Sequence, residues 1–254
     1  MYFRQLLNEH TACASYLLGC KGQSKFAVVE PHVDLVDEYI AAAAQQGAQI
    51  VAVFDTHVQA DHISGMRELV RRTGATAYLP EGAGVEFEHH ALTDDEAVQL
   101  GNVEVRALST PGHALAHHAY VVIDHTRSDE PWFVLTGDAM LVGDAGRPDL
   151  HANDQHSVDD MARALYRSLT GKLLTLPDHL VLYPSHYSGS VCGRGLSANP
   201  ISSIGFERHA NPMLQYASED EFVEALLNDI PPRPAEQAQI VAANRGQHAH
   251  TRQA

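Results

Sequence analysis

Two patterns of hydrophobic and polar positions alternate along the chain. Short apolar runs bounded by glycine, proline or polar residues predict strands. They lie at 2–7, 13–18, 25–30, 50–55, 75–79, 103–110, 119–124, 132–138 and 179–184. Apolar residues at helical spacing predict helices at 35–46, 64–73, 158–169 and 220–227. A leading group of strands followed by interleaved helices and strands favours an α/β protein whose helices pack on sheet faces.

The length of 254 residues suits one domain with a substantial core. Residues 1–232 are predicted to form that domain. Pro231, Pro232 and Pro234 then interrupt regular structure, and the polar residues that follow predict a loose C-terminal tail over residues 233–254.

Charge and cysteine content narrow the class of protein. Lysine and arginine total 17 against 32 aspartate and glutamate residues, a formal net charge of −15, which disfavours nucleic acid and anionic membranes as partners. No apolar run approaches the roughly 20 residues of a membrane span, and the first ten residues lack a signal-peptide pattern. Cys13, Cys20 and Cys192 are too few for a disulfide framework. We therefore expect a cytoplasmic protein.

Histidine is unusually abundant, with 17 residues, and several histidines follow predicted strands. Rigid sheets commonly place functional side chains in the loops at strand ends. Each such residue alone is more simply a cap or a core residue, but four strand ends that all deliver histidine or aspartate predict a metal site. The candidates are His57, Asp61, His62, His113, Asp138 and His186.

The motifs T-H-V-Q-A-D-H (56–62), T-P-G-H (110–113), L-T-G-D-A (135–139) and Y-P-S-H (183–186), in that order, resemble the metallo-β-lactamase superfamily. The resemblance covers about residues 10–216. It implies a four-layer αββα sandwich with a metal site at one edge of the paired sheets.

Gln59 departs from the hydrolytic members, such as the glyoxalase II type, which have a histidine at this position. The resemblance leaves His57, His113 and Asp138 as ligands, the two-histidine, one-carboxylate set of non-haem Fe(II) oxygenases. We expect one Fe(II) per chain, with zinc as an alternative metal. Asp61, His62 and His186 are expected to surround and orient the metal-bound groups, or else to hold a second metal.

Three further segments, 143–150, 188–194 and 203–214, resemble the persulfide dioxygenase branch of the superfamily. That branch oxidises glutathione persulfide with O₂ and water to sulfite and glutathione. The resemblance implies that residues 1–232 are the catalytic domain. Because 20 residues follow Pro234, no rhodanese domain is expected, and a sulfurtransferase partner would be a separate chain. Self-association into a homodimer is left open.

Two other functions compete with this one: a glyoxalase II-like thioester hydrolase with two metals, and a non-catalytic protein that binds metal or relays sulfur. Arg147, Tyr187 and Arg194 are candidates for binding the substrate. Arg147 is alternatively an ion-pair partner of Asp149, and Tyr187 a packing residue. Cys13 lies in an apolar predicted strand and is expected to be a core residue.

Overall fold

The computed structural model describes residues 1–153, 155–187, 197–228, 230 and 232–247. Its strands are β1 (Tyr2–Asn8), β2 (Cys13–Cys20), β3 (Lys25–Val29), β4 (Gln49–Phe54), β5 (Thr76–Pro80), β6 (His90–Leu92), β7 (Ala97–Leu100), β8 (Val103–Ser109), β9 (His118–Asp124), β10 (Phe133–Gly137), β11 (Met140–Leu141), β12 (Asp144–Ala145), β13 (Val181–Pro184) and β14 (Ser202–Ser203). Its α-helices are α1 (Val36–Gln45), α2 (Met66–Thr73), α3 (Val158–Gly171), α4 (Ile204–Ala210), α5 (Glu219–Leu227) and α6 (Gln237–Asn244).

Two six-stranded sheets form the centre of the molecule. The first has the strand order β1-β2-β3-β4-β5-β6 and the second the order β14-β13-β10-β9-β8-β7. Strand β2 is buried along its whole length because its alternate side chains enter different cores. Leu17 packs toward the helices, whereas Tyr16 and Leu18 pack between the sheets.

Three hydrophobic cores separate four layers. The first core joins α1 and α2 to the first sheet through Tyr39 and Leu69. The second lies between the two sheets, and the third joins α3 and α5 to the second sheet through Leu165 and Phe222. The predicted αββα sandwich is therefore confirmed. No helix within the described residues is long and apolar enough to cross a membrane.

The prediction of a loose tail is wrong for part of residues 233–254, because helix α6 lies there. The Asn244 amide donates hydrogen bonds to the carbonyls of Gln59 and His62, at 2.9 and 2.8 Å, and accepts one from the Ser64 amide at 3.0 Å. These bonds hold the end of α6 against the loop that follows β4. The sequence did not reveal them because the partners are at least 180 residues apart.

Candidate metal centre

The predicted site residues meet at one edge of the two sheets. Strands β3 and β4 are parallel, as are β10 and β13. Within each sheet, the carboxyl ends of these strands therefore lie on the same side. The segments that follow β4, β10 and β13 start from these ends. Strand β2 runs antiparallel to β3 and therefore begins where β3 ends. A backbone bridge between Cys13 and His186 then ties the two sheets together at this edge.

His57, His113 and Asp138 converge on one buried point. The Asp138 Oδ2 atom lies 3.8 Å from His57 Nε2 and 3.5 Å from His113 Nε2. All three side chains are at most 1% exposed. Within the described part of the chain, neither Asp138 Oδ2 nor His113 Nε2 has a hydrogen-bond partner. Buried polar atoms are rarely left unpaired, so a metal ion fits this donor set.

Hydrogen bonds on the far side of each group fix its orientation. His57 Nδ1 lies 2.9 Å from Thr56 Oγ1, and His113 Nδ1 lies 2.9 Å from the Arg147 carbonyl. With protons on these Nδ1 atoms, both Nε2 lone pairs face Asp138. Burial lowers the pKa of both imidazoles, which keeps them in the neutral form that a metal requires.

The backbone around Asp138 is tightly constrained. Gly137 has φ = 57°, and a Cβ there would lie 2.5 Å from His117 Nε2. The Asp138 amide donates to that same nitrogen at 3.2 Å, and His117 Nδ1 lies 2.8 Å from Thr110 Oγ1. His117 therefore supports the backbone at Asp138. A Cβ on Gly146 would lie 1.9 Å from the Asp138 carbonyl oxygen.

A second group of potential ligands adjoins the first. His186 Nδ1 lies 2.6 Å from Asp138 Oδ1, while His186 Nε2 lies 2.7 Å from Asp61 Oδ2. His62 Nδ1 lies 3.0 Å from Asp61 Oδ1. Burial opposes ionisation of Asp61, but His186 and His62 outweigh it and hold the pKa of this carboxyl well below its usual range.

Cys13 is buried, as expected of a core residue, and it also belongs to this second group. Its Sγ atom lies 3.3 Å from His186 Nε2 and 3.6 Å from His62 Nδ1. Burial disfavours the thiolate, but the two histidines outweigh burial and lower the pKa of Cys13 to about 7. The antiparallel start of β2 places it here, and the sequence pattern gave no sign of that placement.

His151 is a second site residue that sequence reasoning missed. The ligand atoms of His57, His113 and His151 lie within 4.8 Å of one another. Its Nε2 atom is buried and makes no hydrogen bond to the described residues. The available signal was its position directly after the segment 143–150, which resembles the persulfide dioxygenase branch.

Glu30 is a third missed residue, and it holds Gln59. The Gln59 amide donates to Glu30 Oε2 at 2.6 Å, and the same carboxyl group accepts from the Thr56 amide at 2.5 Å and from Ser185 Oγ at 2.7 Å. Burial raises the pKa of Glu30. This buried carboxyl group therefore links the segment that follows β4 to the segment that follows β13. An acidic residue at the end of the apolar run 25–30 was the available signal.

The three substrate-binding candidates have different outcomes. Arg147 makes a two-pronged ion pair with Asp149, at 2.7 and 2.9 Å, as its alternative interpretation expected. Tyr187 is buried and packs in the core between the sheets. Arg194 lies outside the described residues. A role of any of them in substrate binding remains a prediction.

Comparisons with known proteins agree with this architecture. The family model described as the metallo-beta-lactamase superfamily matches residues 10–186. The mitochondrial persulfide dioxygenase ETHE1 of Bos taurus is 26% identical over 245 residues, which cover 95% of this chain and 86% of that protein. A hydroxyacylglutathione hydrolase of Shewanella denitrificans is 29% identical over 239 residues, covering 91% and 80%.

Two solved structures are similar over most of the chain. The crystal structure of ETHE1 from Myxococcus xanthus matches with a TM-score of 0.84 and 31% identity, covering 97% of this chain and 99% of that one. A metallo-beta-lactamase from Staphylococcus aureus subsp. aureus COL matches with a TM-score of 0.87 and 28% identity, covering 96% and 72%.

Proposed function

The chain belongs to the metallo-beta-lactamase superfamily, and from that membership we propose that it is a non-haem iron persulfide dioxygenase. Its substrate in this proposal is glutathione persulfide or a related low-molecular-weight persulfide, and its products are sulfite and the thiol. Relatives named persulfide dioxygenase support this reading over nearly the whole chain.

One observation carries the proposal: two neutral imidazoles and one carboxylate oxygen face a common buried point. His57, His113 and Asp138 form the donor set that Fe(II) uses when it must keep positions open for O₂ and a substrate. Gln59 does not add a third imidazole, because its amide is bonded to Glu30. A bound iron would supply the binding and activation of O₂ beside the persulfide sulfur.

The protein's own contribution is orientation and exclusion of water. The bond between His186 Nδ1 and Asp138 Oδ1 leaves Asp138 Oδ2 to face the two imidazoles. The contacts from Thr56 and from the Arg147 carbonyl fix the rings of His57 and His113. Because the three ligands are almost wholly buried, solvent has little access to the metal-binding face.

A thioester hydrolase of the glyoxalase II kind is the second candidate. Asp61, His62 and His186 lie together and could hold the second metal that such a hydrolase uses. Relatives named hydroxyacylglutathione hydrolase favour the same alternative. His151 also brings a third histidine close to His57 and His113. A non-catalytic protein that binds metal or relays sulfur is less well supported, because all three proposed iron ligands are present and converge.

Metal analysis and oxygen uptake on one iron-reconstituted sample test the proposal. With glutathione persulfide added, we expect about one iron per chain and consumption of O₂ as sulfite appears. S-lactoylglutathione is the control substrate, and release of glutathione from it without O₂ uptake would identify the hydrolase instead. An Asp138→Ala sample purified in parallel reports any reaction that the metal centre does not catalyse.

The reaction is proposed to take place in the cytoplasm, with any sulfurtransferase supplied as a separate chain. These proposals, and that of a homodimer, rest on the sequence alone. Gel filtration and cell fractionation would test the oligomeric state and the location.

A further inference from the structure

A cavity of about 600 Å³ lies beside α2 and the end of α6, apart from the metal centre. None of the described residues that line it is a proposed metal ligand. Most of its wall is apolar, formed by Val33, Val58, Ile63, Met66, Leu79 and Phe87. Sites for small molecules usually enclose roughly 300–1,000 Å³ and combine apolar walls with a few polar groups. The cavity therefore has the size and the lining of such a site.

Asp55 is the buried polar group in this apolar wall. It is 4% exposed, and its Oδ2 atom accepts a hydrogen bond from Ser64 Oγ at 2.7 Å. Its Oδ1 atom is buried and has no hydrogen-bond partner in the described part of the chain. Buried acceptors are rarely left unpaired, so Oδ1 needs a donor from an occupant of the cavity. An ordered water needs two to four polar partners, and the apolar wall offers few of them.

The charged residues of the cavity lie at its exposed side. Arg71 makes a two-pronged ion pair with Glu68, at 2.9 and 2.7 Å. The guanidinium carbon of Arg67 lies 5.7 Å from the centroid of the Phe87 ring. Both arginines are exposed, whereas Asp55 and Leu79 are buried. The cavity thus opens to solvent beside α2 and is apolar between this opening and Asp55.

We propose that this cavity binds a small apolar molecule with one hydrogen-bond donor, an amine or a hydroxyl group, which Asp55 Oδ1 accepts. The apolar walls would remove the hydrocarbon body from water. The buried acceptor would set the specificity, because a molecule without a donor leaves it unpaired. The site does not depend on the proposed dioxygenase reaction.

An occupant would also contact two elements that the fold joins here. Ser64, in the segment after β4, and Asn244, at the end of α6, both line the cavity. The Ser64 amide donates to Asn244 Oδ1 at 3.0 Å. A molecule that binds only the folded chain stabilises it, so binding should strengthen the attachment of α6.

Methionine-methyl NMR on the full-length chain tests the proposal at a named position. Met66 lines the cavity, whereas Met213 packs in the core between the second sheet and its helices. The probes are phenethylamine, phenethyl alcohol and phenethyl methyl ether, of which only the ether lacks a donor. We expect a saturable shift of the Met66 resonance and none of Met213. The better of the two donors should bind at least tenfold more tightly than the ether, and its identity distinguishes a charged from a neutral head group.

Two variants assign the effect to the cavity. Asp55→Asn should reduce the preference for a donor to less than threefold, because Ser64 still bonds the side-chain oxygen and an amide nitrogen then replaces Oδ1. Ala243→Trp should fill the cavity and abolish the Met66 shift. Ala238→Trp is the matched control, because Ala238 is an exposed residue of the same helix that does not line the cavity.

Three results would overturn the proposal. They are no saturable Met66 shift in the parent, equal affinity for the ether and both donors, and an unchanged preference for a donor in Asp55→Asn. If Asp55→Asn does not fold, the comparison of probes in the parent, together with Ala243→Trp, decides the question. A Met66 shift that persists in a folded Ala243→Trp would equally contradict binding in this cavity.

Discussion

Replacing Glu30 with alanine should destabilise the protein even without metal. Glu30 is 3% exposed and accepts hydrogen bonds from the Thr56 amide, the Gln59 side chain and Ser185 Oγ. Alanine at this position leaves three buried donors without their acceptor. Two of these donors, on Thr56 and Gln59, lie on either side of His57 in the chain. The same change should therefore also loosen the segment after β4 that carries His57.

The expected cost follows from the three donors. A buried donor that loses its acceptor costs about 1–3 kcal/mol, which gives roughly 3–9 kcal/mol for three. Two effects reduce this sum: water can enter the vacated space, and the variant no longer buries the carboxyl group whose pKa burial raises. We therefore expect a loss of about 3 kcal/mol of the free energy of unfolding, a large share of the ~5–15 kcal/mol usual for a domain. For a chain of this size, that loss lowers Tm by roughly 6–12 °C.

Urea unfolding of chelator-treated protein, followed by circular dichroism, measures this loss without a contribution from metal binding. Ser185→Ala is the matched control, because it removes one donor and leaves Glu30 with two. Its expected cost is about 1 kcal/mol. Should Glu30→Ala cost no more than Ser185→Ala, the carboxyl group would not be the structural link between the two segments.

Four further changes test other parts of the site. Asp138→Ala should abolish iron binding, measured by metal analysis, while circular dichroism shows a folded chain; full iron occupancy would remove Asp138 from the ligands. Gln59→His should raise zinc retention and reduce dioxygenase turnover, and unchanged values would contradict the importance of the missing imidazole. Gly146→Ala should weaken metal binding, because its Cβ would displace the Asp138 carbonyl, whereas Gly171→Ala, with no atom within 4 Å of the new Cβ, should not. Burial lowers the pKa of His118 to about 4, so the unfolded chain, in which histidine has a pKa near 6.5, binds the proton more tightly. Stability should therefore fall as pH drops from about 6.5 toward 4, and the urea-unfolding slope against pH should be smaller in His118→Asn.

The sequence alone predicted nine of the 14 strands and four of the six α-helices in the described residues, and it predicted that the motif residues meet. Apolar runs such as 50–55 are long enough for buried strands and too short for helices, so their pattern specifies the sheet. The residues that follow these strands then meet at one edge, because parallel strands end on the same side. That argument grouped six candidates, and the choice of His57, His113 and Asp138 as metal ligands came from the family resemblance. The αββα layering itself came from the family resemblance.

Only the tertiary structure decided which other side chains reach that edge and which atoms face inward. Cys13 arrives through the antiparallel pairing of β2, and α6 through hydrogen bonds from Asn244. Glu30 directly follows β3 and itself has a positive φ of 56°. None of these contacts has a local sequence signature, since each joins residues distant in the chain. The orientation and protonation of these side chains depend on hydrogen bonds and burial that exist only in the folded state. The pattern of apolar and polar residues along the sequence contains no information about those contacts.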